Sequence, residues 1–297
     1  MITTKNLTKK FDGVTALENV TCTIQNGCIY GMVGSNGAGK STFLRVLSGV
    51  YKADGGEALL DGEPIYENPA SKAKIAYVPD ELYYLPAASL KRMGKMYSAL
   101  YPDFDWQKFN TLVCDFGLPR DRGINTFSKG MRRQALTILA LASRPEYIFF
   151  DETFDGLDPV MRSYIKKLIC QDVVDRGATA IITSHSLREL EDTCDQLSLL
   201  HKGGLILESD VQNLKTSQYK IQIAFTEEYD RQKFDGIDIV HFVKHGSVTN
   251  MIVRGDRSST VTRLSAMNPV ILDVLPLTLE EVFTYEMEAL GYSFNLD

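Results

Sequence analysis

The chain has 297 residues, 44% hydrophobic and 24% charged, which suits one large folded domain with an appendage or two modest domains. Its net charge of −6 argues against a broad electrostatic grip on nucleic acid. Five scattered cysteines with no C-x-x-C pair argue against a disulfide framework or zinc site and for a reducing cytosol, and no apolar run approaches the about 20 residues of a spanning helix.

The N-terminus lacks a basic-then-apolar leader, so the chain is expected neither to span a membrane nor to be exported. The opening alternates β-prone stretches with turns: Ile2 to Leu7, Asp12-Gly13, Val20 to Ile24, Asn26-Gly27. Cys28 to Val33 is an apolar strand running into a glycine-rich loop, and Thr42 to Ser48 reads as a helix packing Phe43, Leu44, Val46 and Leu47 inward. From Leu90 to Leu118 the pattern is helical, with Met93, Met96, Tyr97 and Leu100, then Phe109, Leu112, Val113 and Phe116, as core residues.

An α/β alternation follows: strand Tyr147–Phe150, helix Pro159–Val174, strand Thr179–Thr183, helix Leu187–Cys194, strand Gln196–His201. Strands apolar throughout and separated by helices predict a largely parallel sheet with both faces covered. Near Val211–Ser217 the chain turns polar and reads as a linker. Beyond it come strand Tyr219–Phe225, short helix Glu227–Lys233, a hairpin of Ile239–Val243 and Val248–Val253, helix Ser258–Ala266, strand Val270–Val274 and helix Leu279–Leu290. That β-α-β-β-α-β order resembles a small ferredoxin-like unit. His241 and His245 lie four apart around the predicted hairpin rather than on a helix face, so no metal site is expected there.

The chemistry is concentrated in two stretches. Gly34, Ser35, Asn36, Gly37, Ala38, Gly39, Lys40, Ser41 and Thr42 fit G-x-x-x-x-G-K-[ST] between a strand and a helix. There, successive backbone N–H groups and a helix N-terminus cradle phosphates, the lysine contacts the β- and γ-phosphates, and the Ser41 hydroxyl is suited to Mg²⁺. Asp151 ends an apolar strand, where ligands of open α/β sheets bind, and would hold the magnesium; Glu152 beside it would polarise an attacking water. A nucleoside triphosphate and Mg²⁺ are therefore the expected ligands. Ser128 and Gly130, before the helix Arg132 to Leu141, offer another anion-binding helix start, and Thr183-Ser184-His185 closes a strand.

In this order the motifs resemble those of the ATP-binding subunit of an ABC transporter, over residues 1 to about 210. The resemblance implies a P-loop cassette with a mostly parallel sheet, an antiparallel β part near the N-terminus and a helical subdomain. The expected division is 1–212 for the cassette, with the helical subdomain at about 86–145, and 213–297 for a small α+β accessory domain. It also implies that the nucleotide is ATP, that Phe11 stacks on adenine and that His185 contacts the γ-phosphate. Ser128, Lys129 and Gly130 would be presented to the nucleotide of a second subunit, with Asp158 communicating across the pair. The active unit would be a homodimer or a pair with another ATPase subunit, driving a separate transmembrane permease from the cytoplasmic face of the inner membrane, with no nucleic acid partner. Gly130-Met131-Arg132 and Leu279-Glu280-Glu281-Val282-Phe283 resemble export-type cassettes, including those for antibiotics and lipids.

The chain departs from the family pattern at Asp80, Lys129 and Phe127, and at Thr153-Phe154, where Pro-Thr is frequent and neither position carries chemistry. Tyr77-Val78-Pro79 is followed by Asp80 where glutamine is usual; this carboxylate is expected near Mg²⁺ or a basic residue, tuning turnover. Lys129 replaces a common glycine and Phe127 a common leucine. The alternatives are a soluble regulatory cassette protein or one acting on ribosomes or DNA, and import in place of export. A single cassette, an acidic balance and the short path from Lys40 to Ser128 count against the ribosome or DNA reading.

Overall fold

The computed structural model of the protein describes residues 1–211, 213, 218–275 and 277–289. The chain divides into two compact units, Met1–Glu208 and Ser209–Asp297.

The first unit opens with β1 (Ile2–Phe11) and β2 (Val14–Ile24), paired antiparallel. Both run longer than the sequence suggests because the ladder tolerates irregularities after Thr4, Leu7 and Lys9. Asn6 and Asn19 take positive φ values of 49° and 51° there, a conformation asparagine tolerates better than most residues. The buried β3 (Ile29–Val33) leads through the glycine loop into α1 (Lys40–Leu47). Then follow β4 (Gly55–Leu60), β5 (Glu63–Pro64), α2 (Pro69–Ala73) and β6 (Ile75–Val78).

The helical stretch divides into α3 (Leu90–Leu100) and α4 (Trp106–Asp115), started by the Ser89 and Asp105 side chains. Next are α5 (Lys129–Ala142), β7 (Tyr147–Asp151), α6 (Pro159–Arg176), β8 (Thr179–Ser184), α7 (Leu187–Leu190), β9 (Gln196–His201) and β10 (Gly204–Asp210). Helix α7 stops four residues short of its expected end at Cys194. The chain turns there because Asp195 is pinned to β3, its backbone N–H donating to the Ile29 carbonyl and its carboxylate accepting from the Ile29 N–H at 2.8 Å.

Two sheets result: β2-β1-β4-β5, and the six-stranded β10-β9-β3-β8-β7-β6, in which β9, β3, β8, β7 and β6 pair parallel. Tyr30, Phe43, Leu44, Leu47, Phe149 and Ile181 pack with residues of β1 and β2 into one core. The parallel register sets Val33 beside Ser184, Asp151 beside Thr183, and Val78 beside Phe150. The loops after β3, β6, β7 and β8 therefore leave the sheet side by side at one edge. Among the described residues, no helix is long and apolar enough to cross a membrane.

The second unit contains β11 (Gln218–Ala224), β12 (Ile239–His245), β13 (Val248–Arg254), α8 (Arg257–Ser265), β14 (Ile271–Leu275) and α9 (Leu279–Ala289). Its sheet runs β12-β13-β11-β14, all antiparallel, the strand order of a β-α-β-β-α-β unit. The expected helix Glu227–Lys233 is instead a 3₁₀ turn at Arg231–Phe234. Tyr229 is the cause: its ring is buried and its hydroxyl lies between the carbonyls of Ile223 (3.0 Å) and Ser247 (2.9 Å), holding the segment flat against the sheet. Of the expected linker Val211–Ser217, all but Val211 and Asn213 lies outside the described residues, as does Leu290 at the end of the last helix.

Candidate functional site

The loop between β3 and α1 needs glycine at two turns, with φ of 79° at Gly37 and 109° at Gly39. At Gly39 a Cβ would also lie 2.5 Å from the Ala16 carbonyl oxygen, so a side chain is excluded twice over. Lys40 opens α1 and is only 5% exposed. Its Nζ donates to the carbonyls of Gly34 (2.6 Å) and Ser35 (3.2 Å) and pairs with Glu152 Oε1 at 3.0 Å. The ammonium thus lies inside the loop rather than in solvent.

Asp151, at the end of β7, is fully buried. The Ser41 hydroxyl donates to its Oδ1 at 3.0 Å, Thr183 Oγ1 donates to the same oxygen at 2.8 Å, and Tyr77 donates to Oδ2 at 3.0 Å. Burial, reinforced by the Asp151 carboxylate beside it, pushes the Tyr77 phenol well above its usual range, so Tyr77 remains a donor. Tyr77 and Thr183 escaped the sequence reading; a polar side chain at the end of an otherwise apolar strand was the available signal. Among the described residues no three His, Cys, Asp or Glu side chains form a metal cage. One hydroxyl and one carboxylate nonetheless fit magnesium, a hard cation that keeps several waters and takes further oxygens from substrate phosphates.

Glu152 takes φ of 47°, turning back from the strand. Its backbone N–H donates to Thr183 Oγ1 at 3.1 Å, and its Oε2 lies 3.0 Å from His185 Nδ1. Lys40, Glu152 and His185 therefore form one polar chain across three loops, parallel to the Ser41–Asp151–Thr183 cluster.

Asp80, expected near Mg²⁺ or a basic residue, is found with the basic partner: its Oδ1 pairs with Arg133 Nη2. Arg133 is 1% exposed, and its Nη1 donates to the carbonyls of Glu152 (2.9 Å) and Asp155. Sequence reading gave Arg133 no role because nothing in its place within a helix marks it for the loops it meets.

Phe11 is exposed at the end of β1, its ring edge-on to Tyr51 at 5.2 Å. Ser128 and Lys129 are exposed, and Ser128 accepts from the Met131 N–H at 3.2 Å as the cap of α5. Asp158 caps α6, accepting from the N–H groups of Val160 and Met161, both at 3.0 Å. Gly130 packs toward Gly156 in the loop before Asp158. Among the described residues, no hydrogen bond or ion pair joins Phe11, Ser128, Lys129, Gly130 or Asp158 to the Lys40–Glu152 chain within one copy.

The family profile described as ABC transporter matches residues 17–155. The ABC transporter ATP-binding protein YtrB of Bacillus subtilis is 31% identical over 287 residues, covering 95% of this chain and 97% of that one. The daunorubicin/doxorubicin resistance ATP-binding protein DrrA of Streptomyces peucetius is 29% identical over 227 residues, or 73% of this chain and 67% of that one. Among solved structures, the dimeric post-hydrolysis state of the ATP-binding cassette MJ0796, bound to ADP and Pi, shares the fold. It matches with a TM-score of 0.63 at 21% identity, over 71% of this chain and 99% of the other.

Proposed function

The chain belongs to the ATP-binding subunits of ABC transporters, and on that premise we propose how its residues bind and hydrolyse ATP. The phosphates rest on the backbone N–H groups of Gly34 to Thr42 and the N-terminus of α1. Lys40 exchanges its pairing with Glu152 for the β- and γ-phosphates. Ser41 and Asp151 would hold Mg²⁺, which would neutralise charge on the phosphate oxygens. Released from Lys40, Glu152 accepts a proton from the water whose oxygen bonds to the γ-phosphorus as the bond to ADP breaks, help worth about 10²–10⁴-fold. His185 orients the Glu152 carboxylate from its other side. Phe11 stacks on the adenine.

Ser128, Lys129 and Gly130, with Asp158 behind them, serve the nucleotide of a second ATPase subunit, in the simplest assembly another copy of this chain. Pairing around ATP and release after hydrolysis then drive a separate membrane permease from the cytoplasmic face of the inner membrane. Export is the direction favoured by the likeness to DrrA, a drug-resistance protein.

The observation that carries this reading is Glu152 standing 3.0 Å from both Lys40 and His185 beside the Ser41–Asp151 pair. Glu152→Gln should bind ATP and lose nearly all hydrolysis in a phosphate-release assay. A fully active variant would remove Glu152 from this role.

A further inference from the structure

We infer that Arg133 is a positioning residue for Glu152, and that the Asp80 carboxylate locks it in place, so the loop after β6 sets the backbone from which Glu152 works. The inference rests on Glu152 as the water-polarising group. Three segments meet at one guanidinium: Asp80 after β6, the Glu152 and Asp155 carbonyls after β7, and Arg133 itself in the first turns of α5. The planar fork of arginine suits this task, since its separate nitrogens address separate acceptors in fixed directions.

The electrostatics make Asp80 essential to the arrangement. A guanidinium stays charged at any physiological pH, and Arg133 is 1% exposed. Carbonyls can accept its hydrogen bonds but cannot balance its charge; Asp80 does. The neutral glutamine usual at this position in the family would leave that charge uncompensated.

The peptide being held is the one that matters. Glu152 has φ of 47°, which non-glycine residues keep only where their surroundings impose it. Thr183 grips its N–H at 3.1 Å and Arg133 its carbonyl at 2.9 Å. Loosening the second grip lets the carboxylate drift from Lys40 and His185 without altering the phosphate loop.

The test compares Asp80→Gln, Asp80→Glu and Glu152→Gln in the full-length protein, measuring kcat, KM for ATP, Mg²⁺ dependence and thermal unfolding. Asp80 is 46% exposed, so its replacement opens no cavity in the core, and the thermal-unfolding measurement reads separately what the unpaired guanidinium costs. Asp80→Gln should lower kcat about 10- to 100-fold while KM and half-saturating Mg²⁺ hold, as expected when a reacting group is misplaced. Asp80→Glu, which restores a carboxylate, should recover most of the loss. The inference is overturned if Asp80→Gln keeps the parent kcat, if Asp80→Glu is as slow as Asp80→Gln, or if Asp80→Gln loses its fold or ATP binding. It is equally overturned if excess Mg²⁺ rescues Asp80→Gln, which would make Asp80 a metal ligand. An active Glu152→Gln overturns the parent reading instead; an inactive one beside a normal Asp80→Gln overturns this inference alone.

Discussion

Lys40 Nζ and Glu152 Oε1 lie 3.0 Å apart, although one side chain opens α1 and the other follows β7 across the sheet. Both are largely shielded from solvent, so the pair interacts through a medium that screens charge less than water does. A triphosphate entering the loop as proposed would therefore compete with Glu152 for the ammonium. Lys40→Ala should weaken ATP binding by calorimetry and lower turnover about 10²–10³-fold, the usual cost of deleting one preorganised phosphate or oxyanion contact. Undiminished turnover would show that Lys40 is not the phosphate contact.

Phe11 is a large apolar side chain left 38% exposed, with Lys9 Nζ 5.1 Å from its ring centre on the same strand. Stacking on a base is worth about 1–3 kcal/mol by alanine substitution, so Phe11→Ala should raise KM for ATP by roughly 5- to 150-fold at constant kcat. An equal loss in kcat would mean that the ring contributes to more than uniform binding.

Asp172 on α6 ties two parts of the cassette together, accepting from Lys108 of α4 and from Arg176 one turn along its own helix. Burial alone would raise its carboxyl, but the hydrogen bonds from Arg176 and Lys108 outweigh it and hold the group below its ordinary 3.8. A carboxylate with a depressed folded value stabilises the native state above its unfolded value, and that share is lost as pH falls through the folded one. Asp172→Asn should cost about 3–5 kcal/mol by urea unfolding at neutral pH, and the gap between variant and parent should narrow below about pH 4. A pH-independent gap would assign the loss to packing.

Much of the site was legible because its determinants are local. Gly34 to Thr42 sit between a strand and a helix, and Asp151-Glu152 follow an unbroken apolar run, so spacing alone placed them at a strand's C-terminal edge. The parallel sheet was legible for the same reason: β3, β7 and β8 are buried along their whole length and carry apolar runs rather than alternation.

What remained hidden depends on register between distant segments. Tyr77 reaches Asp151 only because β6 pairs with β7, and Thr183 because β8 pairs with β7 on its other side. Arg133 sits inside a helix, and nothing in its neighbours says that its fork meets two loops. Short strands such as β4 and β5 carry glycine, glutamate and proline, which mask the alternation that betrays longer ones. The 3₁₀ turn at Arg231–Phe234 follows from Tyr229 docking between two distant carbonyls, a tertiary effect that outweighs local helix propensity.

Ser128 faces solvent within one copy and, among the described residues, its side chain makes only its own helix cap, which leaves it available for the proposed contact with a second subunit. The most direct measurement is the solution mass of Glu152→Gln with Mg-ATP, with and without Ser128→Arg, by light scattering. The expected result is a doubled mass for Glu152→Gln and a single-chain mass once Ser128→Arg is added. An ATP-bound pair that forms equally well with Ser128→Arg would contradict a nucleotide clasped between Lys40 of one subunit and Ser128 of the next.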